Sequence, residues 1–190
     1  MWRRLFLVVF LVSGGSILPS HAQQPPISPR ESVAARIDGS DITIVYGRPQ
    51  IRDPRTGAPR KIWGGLVPYG KVWRTGANEA TTLTTTWDME FGGQRLPAGT
   101  YSLFTLPNES KGQLIVNRQT GQWGTQYDES QNVLKVEMTR QPLSSPVQQF
   151  TIVIERRSEG GGVLRFRWAD AEYSLPFRVL RPPPLEASAR

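Results

Sequence analysis

The sequence predicts an all-β protein, a single antiparallel β-sandwich or jelly-roll-like domain with one long packed loop. Three observations support this. Apolar and polar residues alternate with a period of two through most of the chain, and Gly, Pro and Asp turns interrupt the alternation at short intervals. No segment of about a dozen residues shows the 3.6-residue period of a capped helix. We therefore expect about nine short strands and at most a helical turn.

The expected strands follow from this alternation, element by element. The first two flank Asp38-Gly39-Ser40, a hairpin signal, and the third opens with five threonines in its first six residues, which favours extended backbone. Gly92-Gly93 and Pro97-Ala98-Gly99 mark the next turns, and Glu159–Gly162 and Ala169-Asp170-Ala171 are expected to separate the last strands. The predicted strands are residues 32–37, 41–46, 81–90, 100–106, 113–117, 133–139, 150–156, 163–168 and 172–179.

The amino terminus has the features of an export signal. Arg3 and Arg4 form a basic region, an apolar stretch covers residues 5–12, and Ser20 and Ala22 offer small residues for cleavage after position 22. The apolar stretch is too short to span a bilayer, so we expect no membrane anchor. The mature protein is expected to be periplasmic or secreted.

The predicted division of the chain has four parts. Residues 1–22 are the signal peptide, 23–30 a flexible leader, 31–180 the β domain and 181–190 a disordered tail rich in proline. The sequence shows no internal repeat and no linker between two domains, and it indicates no oligomeric state.

The composition excludes the catalytic and metal-binding sites that depend on cysteine or histidine. The chain has no cysteine, and its one histidine, His21, precedes the predicted cleavage point. The mature protein would then lack thiolate and imidazole, which excludes Ser–His–Asp and Cys–His catalysis and the usual zinc, haem and iron–sulfur sites. We expect no metal and no cofactor. The formal net charge is +7, but no DNA- or RNA-binding motif is present and no nucleic-acid partner is expected.

Residues 47–80 break the strand pattern. A segment of this length without a period is unusual inside a compact domain and indicates a functional loop. It contains Trp63, Tyr69 and Trp73, whose burial would order it, so we expect a packed loop across one face or mouth of the β domain. The three aromatics are interpreted either as a carbohydrate platform or as a plug for the open end of the barrel, and packing favours the plug.

The same loop carries a long motif. It runs Arg60-Lys61-Ile62-Trp63-Gly64-Gly65-Leu66-Val67-Pro68-Tyr69-Gly70-Lys71-Val72-Trp73-Arg74-Thr75-Gly76-Ala77-Asn78-Glu79-Ala80-Thr81. Leu96-Pro97-Ala98-Gly99-Thr100-Tyr101-Ser102-Leu103-Phe104, Trp123-Gly124, Tyr127-Asp128 and residues 133–136 follow it. With these segments the chain resembles, over about residues 28–178, the bacterial exported family catalogued as domain of unknown function 2911. The resemblance implies a secreted β-sandwich and assigns no activity and no catalytic residue.

The strongest candidate site lies at the end of the loop. Arg74 has the fork geometry to hold a carboxylate or phosphate, Asn78 and Glu79 suit hydroxyl groups, and Trp73 suits a sugar face. The structural alternative is that Arg74 pairs with Glu79 or another acid under the loop. The predicted ligand-binding set is Arg48, Trp63, Tyr69, Trp73, Arg74, Asn78, Glu79, Trp123, Tyr127 and Asp128.

Three functions stay open at this point. Seven basic residues against one acid between positions 48 and 74 favour a non-enzymatic protein that binds an anionic or glycan ligand of the cell envelope. A solvated basic surface is the structural alternative. The second function is a carboxylate-dependent glycan hydrolase using Glu79 and Asp128. The third is an envelope assembly or protein-interaction module that pairs through a sheet edge.

Overall fold

The structure is a computed structural model that describes residues 27–183. The predicted signal peptide lies outside the described residues. So do residues 23–26 of the predicted leader and residues 184–190 of the predicted tail.

The described chain folds into nine antiparallel strands. In spatial order they run β1-β2-β3-β6-β7-β8-β9-β4-β5, which leaves β1 and β5 at the two edges. A 3-10 helix at Glu129–Gln131 is the one helix among the described residues. The strands are β1 (Arg30–Ile37), β2 (Ser40–Gly47), β3 (Thr81–Thr85), β4 (Asp88–Phe91), β5 (Gln94–Leu96), β6 (Gly99–Pro107), β7 (Lys111–Asn117), β8 (Asn132–Arg156) and β9 (Gly162–Leu180). The all-β prediction is confirmed, while the two packed layers of a sandwich stay a prediction.

The first hairpin forms as its turn residues predict. Asp38 and Gly39 both have positive φ, 49° and 100°, which suits the tight turn that joins twisted strands. Ile37 therefore pairs with Ser40, and this register turns Ile42, Ile44 and Tyr46 of β2 into the core, where none is exposed.

The threonine-rich segment forms two strands, so the prediction of one strand over residues 81–90 is wrong. Side chains end β3 at Thr85: the Thr86 hydroxyl accepts the Asp41 N–H at 2.9 Å, and the Ser40 hydroxyl accepts the Trp87 N–H at 3.1 Å. These side-chain hydrogen bonds take the place of the backbone pairing that would continue β3 beside β2, and the chain turns away from β2. The following strand, β4, pairs instead with the end of β9.

The structure has two long strands, β8 and β9, where the sequence predicts the last four strands. β8 and β9 form one hairpin whose turn contains Gly160 and Gly161, as predicted. Residues 169–171 were expected to be a turn but lie inside β9, where Ala169 has a φ of 51° and the register shifts on the facing strand. Such irregularities interrupt the alternation without ending a strand, which explains the wrong division.

Strands β2 and β8 are in contact although three strands lie between them in the sheet, so the sheet is curved. The Ile152 N–H of β8 donates to the Tyr46 hydroxyl of β2 at 3.0 Å, and the rings of Tyr46 and Phe150 meet edge to face at 5.7 Å. Alternation in the later predicted strands places one set of apolar side chains on the inward face, and all of this set are buried: Leu114, Val116, Leu134, Val136, Met138, Phe150, Ile152, Ile154, Leu164, Phe166, Trp168, Tyr173, Leu175 and Phe177.

Candidate ligand-binding cavity

The β2–β3 loop, residues 48–80, is fastened to the sheet along its length. Isolated bridges join Gln50 to Gln149 of β8, and Trp73 to Thr105 of β6. At the second bridge, the Trp73 N–H donates to the Thr105 carbonyl at 2.7 Å and the Thr105 N–H donates back at 2.9 Å. The expected packed loop is therefore present, and its end lies against β6.

Trp63 anchors the middle of this loop in the core. Its indole Nε1 donates to the Trp168 carbonyl at 2.9 Å, and its ring meets Trp73, Trp168 and Tyr173 edge to face. Buried aromatic contacts of this kind stabilise a fold by about 0.5–1.5 kcal/mol each beyond the area they bury. Trp63 thus packs as a structural residue, and Tyr69, half-buried beside Gly64, packs against the same core.

A cavity of about 510 Å³ lies beneath the end of the loop. Its size is typical of sites for small ligands. The loop, the connection between β7 and β8, and the chain before β1 enclose it. Its lining consists of Ile27, Ser28, Pro49, Gln50, Pro54, Arg60, Leu66, Pro68, Val72, Trp73, Arg74, Gly76, Ala77, Asn78, Phe104, Gly124, Thr125, Tyr127 and Trp168.

Two arginines and no carboxylate line this cavity. Arg60 is held by the chain, since its Nε donates to the Ile51 carbonyl at 3.1 Å and its Nη2 to the Gln50 carbonyl at 2.5 Å. Carbonyls satisfy its hydrogen bonds, and its charge is among the causes that lower the pKa of the Asp53 carboxyl, which lies outside the lining. Both charged side chains of the lining are positive.

Arg74 has no hydrogen bond or ion pair with any residue of the described range 27–183. The expected pairing of Arg74 with Glu79 is not formed, because Glu79 accepts instead from Arg30 of β1 at 3.0 Å. The stem of Arg74 packs on Gly124, where an added Cβ would lie 2.7 Å from Arg74 Cδ. This contact positions the half-buried guanidinium at the cavity without using its donors.

Asn78 shapes the cavity mostly through its backbone. Its φ is 64°, a conformation that asparagine tolerates better than most residues, and its carbonyl accepts the Gly124 N–H at 2.9 Å. Its side-chain amide donates to the Ser28 carbonyl at 3.3 Å. Asn78 thereby joins three segments of the cavity wall.

Trp168 lines the cavity, whereas the sequence predicts for it only a place in the core. It is 1% exposed and stacks on Trp73 with a centroid distance of 5.8 Å and an angle of 18°. Its indole Nε1 has no acceptor within residues 27–183. Buried donors are nearly always paired, so the unpaired Trp168 Nε1 is an exception. Alternation alone marks Trp168 as inward-facing and gives no sign of the neighbouring space.

Four members of the predicted ligand-binding set line the cavity: Trp73, Arg74, Asn78 and Tyr127. Tyr127 packs on Phe104 with a centroid distance of 4.8 Å, and its hydroxyl accepts from Asn132 Nδ2 at 2.8 Å. The structure brings Phe104 to the site as well, a strand residue without any distinguishing signal in the sequence.

The other six members lie elsewhere: Arg48, Trp63, Tyr69, Glu79, Trp123 and Asp128. Arg48 is engaged by the chain itself, through Glu31, the Phe150 carbonyl and the Thr151 hydroxyl. Trp123 is 48% exposed and lies next to the lining residue Gly124.

The proposed acid pair has contacts unlike those of a glycosidase. Asp128 caps the 3-10 helix, and hydrogen bonds from the Ser130 hydroxyl and N–H lower the pKa of its carboxyl. A general acid for glycoside cleavage needs a raised pKa. Glu79 is exposed in its ion pair with Arg30, and neither carboxylate lines the cavity.

Two further properties concern the described residues alone. Across residues 27–183, no three His, Cys, Asp or Glu side chains are grouped so as to bind a metal ion. No helix in this part of the chain has the length and apolar character needed to cross a bilayer.

Comparison with known proteins places the chain in a family. The model of the family described as "Protein of unknown function (DUF2911)" matches residues 28–177. That range contains the β2–β3 loop and nearly all of the β domain, as the motif over residues 60–81 predicts. Searches of curated proteins and of solved structures find no match. The chain belongs to the DUF2911 family.

Proposed function

We propose that this chain is an exported, non-enzymatic protein that binds an anionic ligand of the cell envelope in the cavity beneath the β2–β3 loop. One observation carries the proposal: Arg74 presents a guanidinium without a partner in the described chain, at a cavity that no carboxylate lines. Export rests on the amino-terminal signal predicted above.

The electrostatic reason is the cost of an unpaired, half-buried charge. A guanidinium removed from part of its water and given no counter-charge is destabilising in the empty protein. An anion that forms two parallel N–H···O bonds with Arg74 removes this cost and gains charge-assisted hydrogen bonds. The positive charge of Arg60 adds to the attraction without competing for the same geometry.

Acidic glycans fall within this proposal, whereas neutral glycans have less support. A neutral sugar relies on an open aromatic face and on many polar side chains. Trp73 has one face covered by Trp168, and its ring also meets Trp63 and Phe150. No contact of the described residues favours the hydrolase or the assembly module over ligand binding.

Thermal unfolding of the purified protein with a panel of anions tests the proposal. The panel contains acidic oligosaccharides, peptidoglycan fragments and simple carboxylates. A ligand at a hundred times its Kd stabilises by about 2.7 kcal/mol, which raises the Tm of a protein of this size by about 5–10 °C.

The matched variants are Arg74→Gln and Arg55→Gln. Both remove one positive charge from the same loop, but Arg55 is exposed and outside the cavity lining. We expect the Tm shift to disappear in Arg74→Gln and to persist in Arg55→Gln. Absence of any shift in the unmodified protein, or equal shifts in the two variants, would contradict the proposal.

A further inference from the structure

Exposed apolar side chains are concentrated at this cavity. Four large hydrophobic residues of the described chain are exposed, and three of them line it: Ile27 (59%), Leu66 (48%) and Val72 (41%). The fourth, Trp123, is next to Gly124 in the cavity wall. Single exposed hydrophobics are ordinary, but a cluster around one opening marks a binding surface for an apolar group.

The inner wall continues the apolar character of this rim. Half-buried Trp73 and exposed Pro68 supply apolar surface, and the buried side chains of Pro49, Phe104 and Trp168 adjoin it. A ligand that enters between rim and wall would bury apolar area on both sides.

Apart from the two arginines, five side chains of the lining are polar, and two of these are already used. The Asn78 amide donates to the Ser28 carbonyl, and the Tyr127 hydroxyl accepts from Asn132. A sugar ring carries hydroxyls around its edge, and each buried hydroxyl without a partner weakens binding. Ser28, Gln50 and Thr125 are the neutral polar side chains that remain, fewer than the hydroxyls of a buried sugar ring require, whereas an apolar group needs no such partners.

The polar requirement of the cavity is small and localised. Arg74 offers one free guanidinium, which matches a single carboxylate in bidentate geometry. Arg60 already donates to two carbonyls, so a second anionic group has no comparable partner. The buried Nε1 of the lining residue Trp168 is also without an acceptor among residues 27–183.

We propose that the ligand is a monoanionic amphiphile, an alkyl or aryl carboxylate whose head group pairs with Arg74 and whose apolar part lies between the aromatic wall and the Leu66 and Val72 rim. This inference rests on the proposed function and narrows it to one ligand class. The charge and the apolar surface are separate features of one cavity, and this class of ligand satisfies both.

A chain-length series measured by isothermal titration calorimetry tests the inference. The probes are hexanoate, octanoate and decanoate below their micelle concentrations, the primary alcohols of equal length, and glucuronate as an acidic sugar. Each methylene buried in the cavity is expected to lower the Kd about fourfold. Each carboxylate is expected to bind at least about tenfold more tightly than its alcohol, because the charged hydrogen bonds to Arg74 are lost with the alcohol.

Variants separate the two halves of the ligand. Arg74→Gln should abolish the difference between carboxylate and alcohol, while Arg55→Gln should preserve it. Leu66→Ser and Val72→Ser change exposed rim residues, so the fold should be retained. Each should raise the Kd of decanoate several-fold and have little effect on the Kd of hexanoate.

The outcomes distinguish this inference from the proposed function. Tight binding of glucuronate, with no dependence on alkyl chain length, would overturn the amphiphile and leave anion binding intact. Binding of alcohols as tightly as carboxylates would overturn the inference, since the head group would then have no role. No binding of any carboxylate or of glucuronate would contradict both proposals.

Discussion

Two charged regions of this protein are built in opposite ways. On the β8–β9 hairpin the buried carboxylate of Glu172 accepts hydrogen bonds from both Arg165 and Arg167, and Arg165 also pairs with Glu155. At the cavity, Arg74 has no acceptor among residues 27–183. Residues 27–183 supply two arginines to one buried carboxylate and no acid to Arg74, and this difference is the reason for proposing an external anion as the partner of Arg74.

The same contrast exists within the β2–β3 loop. At its start, Arg48 donates to Glu31, to the Phe150 carbonyl and to the Thr151 hydroxyl, and so ties the loop to β1 and β8. Near the end of the loop, the Arg74 side chain forms no hydrogen bond or ion pair with residues 27–183. Arg48 therefore contributes to stability, whereas Arg74 is expected to contribute to binding.

The largest expected effect concerns the alkaline stability of the hairpin region. Burial raises the pKa of the Tyr173 hydroxyl to about 12, against a smaller opposing effect of Arg140. The folded state holds this proton more tightly than the unfolded state, whose tyrosine has a pKa near 10. Stability from this group is complete below about pH 10 and is lost as pH rises towards 12.

Urea unfolding between pH 9 and 12 measures this loss. The expected decrease attributable to Tyr173 is about 2–3 kcal/mol. Tyr173→Phe, which also removes the 2.8 Å bond to the Asn108 carbonyl, should start less stable and lose less over this interval. Equal losses in the two proteins would contradict the assignment.

Glu172→Gln comes next in expected effect. It leaves two arginines facing an uncharged amide on a buried position, and we expect a loss of about 2 kcal/mol in the free energy of unfolding. The matched control is Glu137→Gln, because Glu137 and its partner Lys111 are both more than half exposed. The control should lose about 0.5 kcal/mol or less. Similar losses in both would remove the basis for treating Glu172 as a buried, satisfied group.

Arg48 and Arg74 of the loop give the next pair of predictions. Arg48→Gln should lower the free energy of unfolding by about 1–2 kcal/mol, since three hydrogen bonds disappear. Arg74→Gln should change it by no more than about 0.5 kcal/mol, because the guanidinium has no partner to lose. Equilibrium urea unfolding compares them directly, and an equal loss in both would show that Arg74 is structural.

The smallest expected effect is that of salt on the stability difference between Arg74→Gln and the unmodified protein. In the absence of ligand, raising the salt concentration should leave the stability difference between Arg74→Gln and the unmodified protein nearly unchanged, since no ion pair of Arg74 is screened. Anion binding by the unmodified protein should weaken with salt. A salt-dependent loss of stability in Arg74→Gln alone would point to a partner within the chain.

Local patterns account for what the sequence predicts correctly. Alternation identifies the buried face of β2 through Ile42, Ile44 and Tyr46, and the break in alternation identifies the β2–β3 loop. Aromatic content predicts that the loop packs, as Trp63 and Trp73 do. Trp73 and Arg74 are also found at the cavity, because they lie side by side in the motif.

Contacts between residues far apart in the chain account for the features that the sequence does not predict. Glu79 pairs with Arg30, a residue 49 positions away, so local charge spacing suggested the wrong partner for Arg74. The cavity adjoins Trp168, which alternation marks as inward-facing but cannot distinguish from ordinary core, and Phe104, which has no distinguishing signal in the sequence. β8 and β9 were divided because irregular pairing near Pro142 and Val147 hides the continuity of the strands.

The most direct test of the central claim is NMR titration of the protein with octanoate near pH 6, following the Arg74 Nε–H and the Trp168 indole Nε1–H signals. We expect both signals to shift together and to saturate at one equivalent of bound ligand, while the indole signal of Trp63, already bonded to the Trp168 carbonyl, moves less. Binding that leaves the Arg74 and Trp168 signals in place would contradict ligand binding at this cavity.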